Sequence, residues 1–533
     1  MKISSKSENS SIVPSPFLYR YTRFSGSDAL RFNALAAEEV SNCLRTSFGP
    51  LGRDKIIRGK ESLVVTKDGF TILENLGEFH PVVSLIKNAV KSLKEAVGDG
   101  TTSTALLIGE LLGKADELRR NGVPLAKIML GYSMAYKEAL RILEDLSVGF
   151  NIKEKDVVQR IAYTVLYGSG LTDEEINAGR LPDLVTNSIH LAMDEISEGC
   201  QVDPENIKVV GLKEGLQGDS KLVKGIVIKP LKELHPNITR RVENAKIALI
   251  NKSIGVELLS SSAKIQVTAP ATMAKIRKEE AESVSSTISR IRESNANVIF
   301  CSRRIDDIPA FYFAKHGILA VRNVSFTDMK RMQRATGGKI VTMIEDLEEK
   351  HLGYAKLVEE QQFGKVKRLV VEGCLNPKAV TILLLGATKR ATVATRKAIR
   401  AISAAARNMK TVPGGGAVEI ELARRLRDYA LKIGGKEQLA ISAFADSFEV
   451  VPRLLAENSG EDVLDSLTDL YGLHSLGKKC AGFDVRRRKV VEALMDVVEP
   501  LEVKKHVLSL AYEVSLMMMD TDEVIINEEA IKP

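Results

Sequence analysis

Tryptophan is absent from the 533 residues, and aromatic side chains make up only 5% of the chain. So few rings leave little with which to build stacking platforms for single-stranded nucleic acid. No apolar stretch approaches the roughly 20 residues needed to span a bilayer, so no membrane partner is expected. Met1 to Pro16 is polar and Ser-rich, without the apolar core of a secretory signal, and reads as a flexible tail on a cytoplasmic protein. The five cysteines (Cys43, Cys200, Cys301, Cys374 and Cys480) lie far apart and form neither a CxxC nor a Cys/His ligand spacing. They read as buried free thiols. A GxxxxGK[ST] phosphate loop is missing, which excludes an ordinary P-loop enzyme. An HRD motif with a downstream Asn is also missing, which argues against a standalone phosphoryl-transfer enzyme of the kinase type.

What is present is the balance of a soluble globular protein, 44% hydrophobic and 27% charged. The length exceeds one compact core and suggests about two to four domains. The net charge is +7, yet Lys and Arg alternate with Asp and Glu as on solvated helix faces. The densest basic run is Arg486-Arg487-Arg488-Lys489. No nucleic-acid reader motif accompanies it, so nucleic acid is not an expected partner.

Periodicity divides the chain in three. The first third is helical: Ala29 to Thr46 has helical apolar spacing and stops at Ser47-Phe48-Gly49-Pro50, a second helix spans Pro81 to Ala96, and a long one starts near Thr102. Between them the spacing predicts a strand pair, Ser62 to Thr66 and Phe70 to Leu73, around a turn at Lys67-Asp68-Gly69. In the middle third, β-branched runs alternate with helices: Gly225 to Ile228, Ile247 to Ile250, Val298 to Cys301, Ile318 to Val321 and Lys339 to Val341. That pattern predicts an α/β domain with buried strands. The last third, from about Lys397, is helical again. One helical domain built from both chain ends, with other domains emerging from its middle, accounts for this order.

Three Gly-rich turns could carry chemistry. They are Ser47 to Gly52, Gly98 to Ser103 and Pro413 to Ala417, and the last two each precede a helix. Glycine lets a ligand approach the backbone, and a helix N-terminus offers free N–H groups to phosphate. Asp99 adds a hard oxygen suited to Mg²⁺, and Thr101, Thr102 and Ser103 add hydroxyl donors. Each turn alone is as well explained as a mere turn, and Asp99 as a helix N-cap.

Taken together, the motifs resemble those of the group II chaperonins, most of all a divergent archaeal thermosome subunit. Gly98 to Ser103 resembles the family's GDGTT signature, Ser47 to Lys55 its TLGPKGMDK, Val65 to Leu73 its ITNDGVTIL and Pro413 to Glu419 its glycine triplet. Ala443 to Pro452 with Leu455 to Gly460 is similar to AFADALEVIPxTLAENAG. Arg240 to Leu249 and Ile305 to Ile308 resemble apical-domain blocks, and about Val256 to Arg290 resembles the helical protrusion that serves as a built-in lid. Within it, Val284, Ile288 and Ile291 share one face of a helix from Lys275 to Arg292, a stripe that reads as ordinary packing or as a client-binding face.

The resemblance implies a multidomain α+β architecture. Residues 1–152 and 408–533 would form a mostly helical equatorial domain, 153–218 and 374–407 a small intermediate domain, and 219–373 an α/β apical domain carrying the protrusion at about 256–290. It also implies a nucleotide site for ATP and Mg²⁺. Gly49, Pro50, Gly100, Thr101, Thr102 and Ser103 would cradle the phosphates, and Asp99 would hold the metal. Asp68, with Gly69 beside it, would act catalytically near the γ-phosphate, Gly415 and Gly416 would face base and ribose, and Glu499 would contact the ribose.

Two departures bear on activity. The family's third carboxylate, which orients the attacking water, falls at Ala401, and no Asp or Glu occurs between Glu372 and Glu419. That stretch carries Lys389, Arg390, Arg396, Lys397, Arg400 and Arg407 instead. The family's γ-phosphate-sensing lysine falls at Ser169, and Lys67 replaces its Asn beside Asp68. General-base help is typically worth about 10²–10⁴-fold in rate. The expectation is therefore an ATP-binding chaperonin subunit that folds unfolded proteins but hydrolyses ATP slowly. It would sit beside paralogous subunits in a hetero-oligomeric double ring, where complementary charge helps unlike chains pair. The alternative is a regulatory or structural ring subunit without its own ATPase cycle.

Overall fold

The computed structural model describes residues 21–58, 63–77, 80–196, 199–229, 240–255, 282, 285–375 and 377–527. The N-terminal tail and most of 256–290 lie outside the described residues.

Both chain ends contribute to one helical core. Ser27–Arg45, Pro81–Ala96, Thr101–Arg120 and Leu125–Leu146 pack with Ala417–Ile433, Gly435–Ser447, Val450–Ser459 and Leu501–Met519 around shared residues such as Leu106, Leu143, Leu426, Phe444 and Leu508. Thr101–Arg120 is the central helix: Thr104 to Gly109 are consecutively buried, so it has no polar face there. Tyr132 sits edge-on to Phe444 at 5.2 Å and donates its hydroxyl to the Leu111 carbonyl at 2.8 Å, which satisfies a fully buried polar group. Strand Tyr21–Ser25 pairs antiparallel with Glu523–Asn527 and so joins the two ends directly.

A second core lies beside the first. Helices Lys155–Gly168, Leu181–Ala192 and Lys389–Asn408 cover the three-stranded sheet Ile207–Gly211, Val380–Leu384 and Lys221–Val223. Leu93, Val97, Val503 and Val507 from the helical module complete this core, so the Lys389–Asn408 helix is wedged between the two.

The middle third forms a mixed seven-stranded sheet. Its order is Leu319–Val321, Val298–Cys301, Arg241–Ile250, Gly353–Phe363, Val366–Cys374 and Gly225–Ile228, with Ile340–Val341 also paired to Arg241–Ile250. Successive strand residues point to opposite faces. Ile247 and Leu249 therefore enter one apolar cluster while Ala248 and Ile250 enter another. Burial on both faces is why these strands read as continuous apolar runs rather than as alternation. Residues 285–293 are helical, and Ile288 and Ile291 are buried in the second cluster, so this part of the stripe is core packing. Val284 lies outside the described residues.

Two expectations require correction. Phe70 to Leu73 is not a strand but part of the Gly69–Asn75 helix, and Leu63–Thr66 pairs with Lys55–Arg58 instead. Asp68 accepts from the Thr71 amide at 3.1 Å and caps this helix, overriding the strand propensity of Phe, Thr and Ile. All five thiols are free, but only Cys200, Cys301 and Cys374 are buried; Cys43 and Cys480 are partly exposed. No helix among the described residues is long and apolar enough to cross a membrane.

Candidate functional site

The three Gly-rich turns, far apart along the chain, are brought to one place by the interleaving of the two chain ends. A cavity of about 440 Å³ is lined by Gly49, Pro50, Asp68, Gly69, Asp99, Gly100, Thr101, Thr102, Ser103, Gly415, Gly416 and Glu499. Its volume lies within the roughly 300–1,000 Å³ common for small-molecule sites.

Two helices begin at this cavity without a side-chain cap. Gly100 (φ +83°) is the N-cap of Thr101–Arg120, and Gly416 (φ +81°) is the N-cap of Ala417–Ile433. Glycine fits the left-handed conformation both turns need. It also leaves the first-turn N–H groups without a side-chain acceptor, at the positive end of each helix dipole. Asp99 is not the N-cap, since Gly100 holds that position. Ser47 lines the same cavity, and its buried hydroxyl has no hydrogen-bond partner among the described residues. Free donors at three points of one cavity suit an anionic ligand.

Asp68 divides its carboxylate between two partners. Oδ2 accepts from the Thr71 amide and from the Thr71 hydroxyl at 2.8 Å, while Oδ1 forms an ion pair with the Lys397 ammonium. Burial opposes ionisation of Asp68, but Lys397 and the Thr71 hydrogen bonds outweigh it and hold the carboxyl at about 2. Burial likewise opposes the Lys397 charge, and Asp68 together with Asp99 more than compensates, raising its pKa above the ordinary lysine value. Lys67 donates to the Pro50 carbonyl at 2.7 Å; burial, aided by the nearby Arg390, lowers its pKa to about 8. The Lys67 side chain lies along Gly170, next to Ser169: a Cβ built on Gly170 would fall 2.0 Å from Nζ.

At the far side, Lys504 bridges Glu499 at 2.9 Å and Glu419 at 2.7 Å. Burial pushes the Glu499 carboxyl up against the pull of Lys504. Arg486, from the basic run, packs over Tyr163 and Tyr167 at 4.6 and 5.0 Å, and all three line the cavity.

Ala401 does not line the cavity. It is fully buried in the second core, where a Cβ built on Gly98 would come within 3.5 Å of its backbone nitrogen. The residues of its helix that do reach the cavity are Lys389, Arg390, Val393, Ala394 and Lys397. The sequence reading missed Lys397 as a site residue. Its signal was the i, i+3, i+4, i+7 spacing of 390, 393, 394 and 397, which puts them on one helix face.

The cavity fits a nucleotide: uncapped helix ends, an unpartnered hydroxyl and lysines meet where phosphates need donors. Asp99 is the cavity carboxylate that would hold a divalent ion beside the phosphates, since Asp68 is already paired with Lys397.

The TCP-1/cpn60 chaperonin family model matches residues 40–529. The chain belongs to this family. Among its relatives, a thermosome subunit of Methanopyrus kandleri is 42% identical over 518 residues, covering 96% of this chain and 94% of the relative. The alpha and beta thermosome subunits of Archaeoglobus fulgidus are 38% and 37% identical, each covering 94% of this chain and 92% of the relative. This chaperonin chain therefore spans nearly the full length of each of these relatives.

Proposed function

We propose that this chain is an ATP-binding subunit of a double-ring chaperonin that encloses unfolded proteins, and that it hydrolyses ATP slowly. The observation that carries the reading is the cavity where two glycine-capped helix N-termini meet. In this reading Gly49, Pro50 and Gly100 to Ser103 surround the phosphates, Gly415 and Gly416 face the nucleoside, and Glu499 contacts the ribose. Residues 1–152 and 408–533 act as the equatorial domain, 153–218 and 374–407 as the intermediate domain, and 219–373 as the client-facing apical domain. Rigid-body rotation between these domains closes the cage.

Slow hydrolysis is supported by the absence of any acid on the Lys389–Asn408 helix and by Lys397 pairing with Asp68. Water in such a site has no free carboxylate on that helix to orient it. A regulatory role within a mixed ring is favoured by the same pair. Archaeoglobus fulgidus has both an alpha and a beta thermosome subunit, and assembly of this chain with paralogues follows by analogy.

The test is light scattering of a chemically unfolded client diluted into the assembled protein, with ATP retention measured on the same sample. Suppressed aggregation together with retained ATP is expected. Aggregation at the rate of client alone, with no ATP retained, would overturn the reading.

A further inference from the structure

Lys67 lines the cavity and is only 9% exposed. The other buried lysines there are neutralised by carboxylates, Lys397 by Asp68 and Lys504 by Glu499 and Glu419. Arg390 pairs with Asp54. Lys67 has no carboxylate at ion-pair distance among the described residues, and its ammonium donates to the Pro50 carbonyl at 2.7 Å. An ammonium carries three donors, and a single carbonyl leaves most of that capacity unused. A cation taken out of water without a counterion is costly. Burial, with Arg390 second, accordingly lowers its pKa to about 8.

The turn that carries Lys67 is pressed onto the phosphate end of the cavity. Gly69 packs so closely on Thr102, in the first turn of Thr101–Arg120, that a Cβ there would fall 2.2 Å from the Thr102 hydroxyl. Gly170 leaves the room that the Lys67 side chain occupies, since a Cβ there would fall 1.6 Å from the Lys67 Cε. The charged groups acting most on Lys67 are Arg390, Asp54 and Lys397, whereas those acting most on Glu499 are Lys504, Glu419 and Asp99. Lys67 therefore sits away from Glu499 and the nucleoside side. Asp68 does not compete for it, because that carboxylate is committed to Lys397 and Thr71.

Resting on the nucleotide-binding reading above, we propose that Lys67 is the residue that distinguishes a triphosphate from a diphosphate, its buried ammonium taking the terminal phosphate of ATP as the counterion it lacks. ADP ends short of it and leaves the ammonium unpaired. The contact is charge-assisted and enclosed, so it favours ATP strongly. It also requires the protonated amine. Of the charged groups that face Lys67, Arg390 and Lys397 lie on the docked helix, Asp54 precedes the hairpin and Asp68 is adjacent in sequence. Lys397 is raised above the ordinary lysine value and Asp68 is held at about 2, so neither changes charge near pH 8. Triphosphate binding should therefore be level below about pH 8 and weaken above it, because binding must then take up a proton.

The experiment is equilibrium dialysis of the labelled γ-thio analogue of ATP, which resists hydrolysis, and of labelled ADP against the full-length assembled protein with Mg²⁺. Near neutral pH, Lys67→Met should weaken binding of the triphosphate by about 10- to 100-fold, the usual worth of a charge-assisted contact. ADP binding should stay within a few-fold of wild type. Equal losses for the two nucleotides, or an unchanged triphosphate affinity, would overturn this inference and leave the nucleotide reading intact. Wild-type protein that binds neither nucleotide would overturn both. Wild type alone gives a second measurement, which stands even if the variant fails to fold: above about pH 8 its triphosphate affinity should fall while its ADP affinity stays level. Parallel curves for the two nucleotides would overturn the inference.

Discussion

Glu421 shows how one residue holds the helical module together. It is wholly buried on Ala417–Ile433, accepting from Arg424 at 2.8 Å and Arg425 at 2.6 Å, with His474 Nδ1 at 2.9 Å. Burial opposes its charge, yet the hydrogen bonds from His474, Arg424 and Arg425 hold its carboxyl far below the ordinary value of 4.5. A group with a depressed folded pKa contributes stability that is complete above its unfolded value and is lost as pH falls through the folded one. Glu421→Gln should therefore cost about 3 kcal/mol near neutral pH, because it leaves buried cationic partners uncompensated. Thermal unfolding across a pH series should show the gap between wild type and variant narrowing below pH 4.5. A gap that stays constant into acid would show that Glu421 is not ionised in the folded protein.

At the scale of elements, the Lys389–Asn408 helix joins the second core to the helical module through pairs of unequal worth. Arg390 and Asp54 meet at 2.6 Å, but both are more than a third exposed, so Arg390→Ala should cost under about 1 kcal/mol. Lys397 and Asp68 are nearly enclosed, and Lys397→Met strands a buried carboxylate, so about 3 kcal/mol should be lost. Chemical denaturation of the two variants measures the contrast; equal losses would mean that burial of the second pair is unimportant.

What was legible in the sequence follows the same division. The middle strands could be read because burial on both faces makes them continuous apolar runs, and Pro81–Ala96 because Pro81 opens it and its apolar spacing is helical. The Gly69–Asn75 helix was misread because its residues favour strands locally, while the deciding contact is a single cap from Asp68. The Gly-rich turns pointed to phosphate, and they do line one cavity. The Lys397–Asp68 pair could not be read, because it depends on how a helix late in the chain docks on a turn near its start.

At the scale of the whole molecule, one small sheet has an open face. In the hairpin Lys55–Arg58 with Leu63–Thr66, Ile56 pairs across from Val65, and the two are 73% and 63% exposed on the same side. A lone two-stranded ribbon is marginal in water, and an exposed apolar strand edge invites another chain. Ile56→Asp should therefore shift native mass spectra from large assemblies toward single chains while far-UV circular dichroism stays unchanged. Assemblies of unaltered size would exclude this hairpin from the subunit contacts. Spectra of the complex isolated from its source should also contain related chains alongside this one.

The most direct test of slow turnover is a single-turnover quench. The assembled protein is loaded with labelled ATP, unbound nucleotide is removed, and acid quenches at increasing times separate ATP from ADP. Without an acid on the Lys389–Asn408 helix, most of the bound label should be recovered as ATP. Hydrolysis should be about 10²–10⁴-fold slower than in a family member that carries the acid. Prompt conversion of bound ATP to ADP at that relative's rate would contradict the account.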